Sequence, residues 1–175
     1  MKEANPGRAC ARLPRKVFTH VALACVCCAL LCCAQVARAA AWHGLEPLKS
    51  RRADVEREFG KAGEALPNGA LRFKVAGGTV TVTFVSAKFV ATKKLVPEYE
   101  GTVLEVVLQH DSAQDTPESL GLTTNHDFER EATSPVIVYR NLKDGVAYTF
   151  INGRLRTTRY APAAEQLIHA QRGSE

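Results

Sequence analysis

The chain has 175 residues, 46% hydrophobic and 23% charged, an ordinary globular composition that excludes a disordered, collagen-like or many-span membrane protein. Its net charge of +5 is confined to the front: residues 1–39 hold six basic groups against one acid, and residues 40–175 carry 17 of each sign. That balance removes the electrostatic case for nucleic-acid binding, which needs clustered basic charge to displace counterions.

The first 39 residues divide into a basic stretch through Lys16, an apolar run from Val21 to Ala34, and Ala37-Arg38-Ala39. This is the layout of a secretory signal peptide, with cleavage expected after Ala39. The apolar run is 14 residues, shorter than the ~20 a spanning helix needs. An uncleaved anchor, lengthened by Val17, Phe18 and the alanines around Gln35, is the alternative, and only then does the chain touch a membrane. All six cysteines (Cys10, Cys25, Cys27, Cys28, Cys32 and Cys33) fall in this segment, so the domain from Ala40 onward has no thiol and no disulfide. A metal site at Cys27-Cys28 and Cys32-Cys33 is ruled against by the apolar helix around them. Lipidation is disfavoured because Cys25, the nearest fit, has too short an apolar core ahead of it. The expectation is a signal peptide over 1–39 and one exported domain over 40–175, periplasmic or extracellular.

Within that domain, Ser50 as N-cap and Gly60 as C-terminal stop predict a short helix, with Val55 and Phe59 as its apolar stripe and Leu48 as a staple. Arg51, Arg52, Glu56 and Glu58 are expected to face water. Ala70 to Val75 and Thr79 to Val85 alternate apolar and polar residues about Gly77-Gly78, the clearest hairpin pattern in the chain. A looser stretch with Lys93, Lys94 and Pro97 leads to a strand over Thr102 to Gln109, with Leu104, Val106 and Leu108 on one face. Residues 110–134 show no sustained alternation, although Pro117 to Leu120 reads as a helical turn and Leu120, Leu122 and Phe128 as core contacts. Pro135 to Tyr139, Gly145 to Ile151 and Gly153 to Tyr160 are the remaining strands, the last two joined at Asn152-Gly153. A frayed helix over Pro162 to Gln171 ends the chain. The fold class is α+β, a largely antiparallel curled sheet of about six strands packed on a short N-terminal helix.

The segment Trp42-His43-Gly44-Leu45-Glu46-Pro47-Leu48-Lys49-Ser50-Arg51-Arg52-Ala53-Asp54-Val55-Glu56-Arg57-Glu58-Phe59-Gly60 resembles the start of a family of small exported bacterial proteins of unassigned activity. Those open with a Trp-x-Gly-Ile-x-Pro-Leu-x-Ser-Thr-Arg-Ala-Asp-Val-Glu-x-Leu-Leu-Gly pattern. Val96-Pro97, Gly101-Thr102-Val103-Leu104 and Asn152-Gly153-Arg154-Leu155 are similar to later parts of the same family. Arg52, Phe59 and the missing cysteines depart from it. More distantly, the helix ending at Gly60 looks like the opening helix of small outer-membrane-assembly lipoproteins and β-lactamase-inhibitor-like folds. The resemblance implies export and an α+β fold, and brings no activity with it.

Candidate chemistry is sparse. His110-Asp111 with Asp115 and Glu118 lacks the alternating oxygens and central glycine of a Ca²⁺ loop. Asn125-His126-Asp127 sets an imidazole beside a carboxylate, useful for proton transfer only where both converge on a pocket. Ser86, Ser112 and Ser134 sit in no nucleophile motif, and Gly77-Gly78 lacks the helix start of a phosphate cradle. Arg140, Arg154 and Arg156, with Lys143 nearby, are the candidate binding surface for a carboxylate, a phosphate or a partner; a charged outer face that keeps the sheet soluble is the preferred account of the same residues. No cofactor and no metal are expected. The leading reading is a non-catalytic exported module that binds a protein or envelope component. An exported hydrolase built from His110, His126 and Asp127, and a purely structural envelope protein, are the alternatives.

Overall fold

A computed structural model describes residues 40–61 and 63–171, so the expected signal segment 1–39, with its cysteines, lies outside the described residues. Helix α1 (Arg52–Phe59) turns Val55 fully inward. Its N-cap is Arg51 rather than Ser50: the Asp54 carboxylate accepts from the Arg51 amide at 2.8 Å, serving an amide that the helix itself cannot satisfy. That backbone bond, with the Arg57 guanidinium beside it, holds the Asp54 carboxyl below the usual carboxylate range. The Ser50 hydroxyl instead accepts from the Glu46 amide at 3.0 Å. Two arginines expected in water are tied down. Arg51 donates to the carbonyls of Glu98 and Glu100 at 2.8 and 3.2 Å, and the Arg52 guanidinium lies 4.8 Å from the Phe84 ring centre.

Among the described residues there are eight strands and three α-helices. After α1 come β1 (Glu64–Ala65), β2 (Leu71–Val75), β3 (Gly78–Phe84), helix α2 (Ala87–Lys93), β4 (Val103–His110), β5 (Glu129–Thr133), β6 (Val136–Asn141), β7 (Val146–Ile151), β8 (Arg154–Tyr160) and helix α3 (Ala164–Ala170). They form one sheet in the order β1-β2-β3-β4-β8-β7-β6-β5. Every neighbouring pair is antiparallel. Two four-strand meanders therefore meet edge to edge along β4 and β8, with residues 111–128 connecting them.

The α+β, antiparallel expectation holds, and two of its details need correcting. Six strands become eight because β1 is only two residues and every residue of β5 is exposed, so neither carries an apolar alternation. Pairing with β6 makes β5 a strand. Nor is the helical cover a single N-terminal helix. Ser86 caps α2 by accepting from the Phe89 amide at 3.2 Å. The C-terminal helix α3, expected to fray, buries Ala170 completely, and the Ala170 carbonyl accepts from the Val96 amide at 2.9 Å.

Cross-strand partners share a sheet face, so the register defines rows. One row runs Phe73, Val80, Leu108, Thr158, Tyr148, Tyr139; the next runs Leu71, Val82, Val106, Tyr160, Val146, Asn141. The β2–β4 half of this face packs against Leu45 and Val55, and the β6–β8 half against Leu122. Leu48, placed as a staple for α1, packs instead with Val85, Val90, Leu95 and Ala170. A bulge at Thr83/Phe84 leaves Leu104 without a partner and turns it toward this α2 cluster, so Val103 and Val106 become the inward pair. A second bulge at Thr149/Phe150 makes Arg156 the extra residue, so Leu155 and Thr158, three apart, are both buried.

Candidate functional site

Where β4 ends, a cleft of about 230 Å³ opens between the β2–β3 hairpin and the segment ahead of α1, lined by Trp42, Phe59, Val75, Leu108 and His110 among others. Its outer wall starts from a two-residue turn. His43 and Gly44 both take positive φ, 51° and 75°, and Trp42 and Leu45 exchange backbone bonds of 3.2 and 2.9 Å, the pattern of a primed hairpin turn. A histidine in the left-handed region is uncommon. Here it is clamped, with Nδ1 2.9 Å from the Glu58 carboxylate on α1. Trp42 lies nearly parallel to Phe59, with centroids 5.6 Å apart and planes at 18°. Phe59 in turn meets Phe73 at 5.1 Å.

The polar element is His110, the last residue of β4. Its Nε2 lies 3.0 Å from the Thr158 hydroxyl, and Thr158 is 4% exposed in a row of otherwise apolar or aromatic side chains. Burial pushes the His110 imidazole below its ordinary pKa, with the Asp115 carboxylate opposing that shift. At neutral pH the ring is uncharged and offers one donor and one acceptor. Tyr148 and Tyr160 flank Thr158 on the same face, and burial raises the pKa of both phenols. Among the described residues, none that lines the cleft is Asp, Glu, Lys or Arg.

The sequence candidates do not gather here as a set. His110 lines the cleft, whereas His126 and Asp127 are exposed in the 111–128 connection, where the Asp127 amide donates to the Asn125 side chain at 2.9 Å. No hydrogen bond joins either of them to His110 among the described residues. Arg140 is exposed and pairs with Glu131. Arg154 donates to the Gln114 carbonyl, fastening the connection to β8, and Arg156 is the extra residue of the β7–β8 bulge. No group of three or more metal-ligating side chains occurs among the described residues, and no helix there is long and apolar enough to cross a membrane.

Sequence reasoning missed Phe59 and His43 as wall residues and singled out Trp42 only within a resemblance. The available signal was the lone tryptophan of the chain followed by His-Gly, a turn pair, with Phe59 one helix away. The chain matches no protein-family model, no curated protein and no solved structure.

Proposed function

We propose that this is an exported, non-catalytic binding module that recognises its partner through the Trp42–His110 cleft. The observation that carries this reading is the state of His110: one ring nitrogen is engaged by a buried threonine, and no carboxylate is hydrogen-bonded to the ring. An acid–base or nucleophilic site needs a base oriented by a further group and an accessible nucleophile beside it. Thr158 is shielded from substrate, and among the described residues the cleft is lined by no serine, cysteine or carboxylate. What it does contribute is a fixed aromatic wall, which suits recognition. Export is supported by the basic, apolar and small-residue zones of residues 1–39 and by the resemblance of residues 42–60 to exported bacterial proteins.

Two measurements test it. Intact mass of the protein recovered from its own cells is expected to begin at Ala40 in the periplasmic or secreted fraction; a cytosolic protein retaining the leader would refute export. A panel of ester, peptide, glycoside and phosphate substrates is expected to show no turnover. Turnover lost in His110→Gln or His126→Ala would replace the binding module with the hydrolase.

A further inference from the structure

We infer that the Trp42–His110 cleft is a binding site for a small, uncharged aromatic molecule of one or two fused rings, stacked on the Trp42–Phe59 wall and hydrogen-bonded to the His110 imidazole. The inference rests on the binding reading above and specifies its ligand. Size comes first. A cavity of about 150 Å³ accommodates benzene, and this cleft offers about 230 Å³, room for one ring with a polar substituent or for two fused rings.

Charge comes second. Among the described residues no Asp, Glu, Lys or Arg lines the cleft, and the carboxylates behind its wall already act on its two histidines, Glu58 on His43 and Asp115 on His110, so an ionic ligand would lose hydration without a free counter-charge in the lining. A sugar is disfavoured by alternation. Thr79 and Gln109 pair with each other on the face opposite His110, which shares its face with Gly78. Their side chains therefore point away, and the two imidazoles and the Trp42 indole N–H are the polar side-chain groups left to meet a ring of hydroxyls. Most of those hydroxyls would go unpaired, which costs more than stacking returns.

Preorganisation comes third. Trp42 is fixed by its turn and by Phe59, and His43 by Glu58, so a stacked ligand orders little that is not already ordered. His110 keeps Nε2 on Thr158. Its Nδ1 is bonded to no described protein group, and one ligand hydroxyl, which donates or accepts as the tautomer requires, satisfies it.

Trp42 is the only tryptophan in the chain, so its emission reports on the cleft directly. The test titrates the folded protein with benzyl alcohol, with cyclohexylmethanol as an aliphatic match and benzylamine as a cationic one. Benzyl alcohol is expected to give a saturable change in Trp42 emission, binding about tenfold more tightly than cyclohexylmethanol, the difference stacking provides; benzylammonium is expected not to saturate. His110→Gln is expected to weaken benzyl alcohol about fivefold, the loss of one neutral hydrogen bond. Phe59→Leu, which keeps an apolar residue on α1, should remove most of the aromatic preference. Histidine ring resonances recorded in the same titration should move for His110 and not for His126. Equal affinity for the aromatic and aliphatic alcohols, or no saturation by benzyl alcohol, overturns the aromatic site while leaving the binding module standing. Turnover of a substrate that depends on His110 would instead overturn the non-catalytic module, while saturable, aromatic-selective binding of benzyl alcohol in the same protein would still support the cleft as an aromatic site.

Discussion

His110 and Thr158 bond across the junction of the two meanders, Nε2 to Oγ1 at 3.0 Å, a diagonal contact from the residue just past the last β4–β8 pair to the partner of Leu108. Burial lowers the His110 pKa in the folded chain, whereas the unfolded chain keeps the ordinary value of about 6.5. As pH falls through that ordinary value, the unfolded state takes up the proton first. Stability is therefore lost between the ordinary pKa and the lower native one, is flat below both, and returns as pH rises back through the window. Nuclear magnetic resonance titration of the His110 imidazole is expected to give a midpoint below the ordinary histidine value. Asp115→Asn should lower it further, since that carboxylate favours the protonated ring. Thr158→Val, which leaves Nε2 without its partner, is expected to cost about 1–2 kcal/mol in urea unfolding. A His110 midpoint at or above that of an unfolded histidine would contradict the buried placement.

Phe150 is fully buried under the 111–128 connection and meets Tyr139 edge to face, centroids 6.0 Å apart at 87°. Phe150→Ala is expected to destabilise the protein by about 3–5 kcal/mol, transfer and cavity together. Because β4 and β8 pair the two halves into one sheet, that loss should shift a single transition when followed both by Trp42 emission and by far-ultraviolet dichroism. Trp42 lies on the opposite half of the sheet from Phe150. If the two probes separate, the meanders unfold independently and the sheet junction is weaker than its register indicates.

Much of this fold is legible because its strands are half-buried. Leu71, Phe73, Val80 and Val82 alternate with exposed or partly exposed polar residues, and Asn152-Gly153 turns the chain with φ of 51° and 74°, so period and turn chemistry agree. The hidden parts are those whose structure comes from partners rather than from pattern. Strand β5, Glu-Arg-Glu-Ala-Thr, has nothing apolar to align and is set by β6. The bulges at Leu104 and Arg156 reset the inward face by one residue, which a strict alternation cannot reveal. For the candidate site, His110 is readable as a histidine at a strand end. Its neighbours Trp42 and Phe59 stand more than 50 residues upstream and meet it only through the sheet.

Arg51 illustrates a residue whose charge reads as surface and whose role is a clamp. Its guanidinium donates to the carbonyls of Glu98, within the 3₁₀ turn Pro97–Tyr99, and of Glu100 just after it, while its backbone bridges to Thr102. A planar fork reaches two carbonyls at once; an ammonium does so poorly. Arg51→Ala is expected to cost about 1–2 kcal/mol in urea unfolding, and Arg51→Lys to recover less than half of it. Amide exchange at Glu100 and Gly101 should quicken in both variants. Full recovery by lysine would reduce the clamp to simple charge.

Gly145 follows a turn that several segments share. Asn141, 3% exposed, gives its Nδ2 proton to the Asp144 carboxylate at 2.7 Å and accepts the Asp144 amide at 3.0 Å. The Ala40 amide donates to the Asp144 carbonyl at 2.7 Å, and the Ala161 amide to the Gly145 carbonyl at 2.7 Å. Gly145 itself has φ +69°, and a Cβ there would stand 2.1 Å from the Ala161 carbonyl oxygen and 3.0 Å from the Ala163 nitrogen. Both obstacles are backbone, so the turn must open for the methyl to fit. Gly145→Ala is expected to cost about 3 kcal/mol or more, strain and lost hydrogen bonds combined. Gly121→Ala, at φ +66° with nothing within 4 Å of the new carbon, separates the two contributions, because it meets only the dihedral penalty of about 1–2 kcal/mol. Equal losses in the two variants would mean that the turn yields freely, and that the meeting of Ala40, Asp144 and Ala161 is looser than its hydrogen bonds describe.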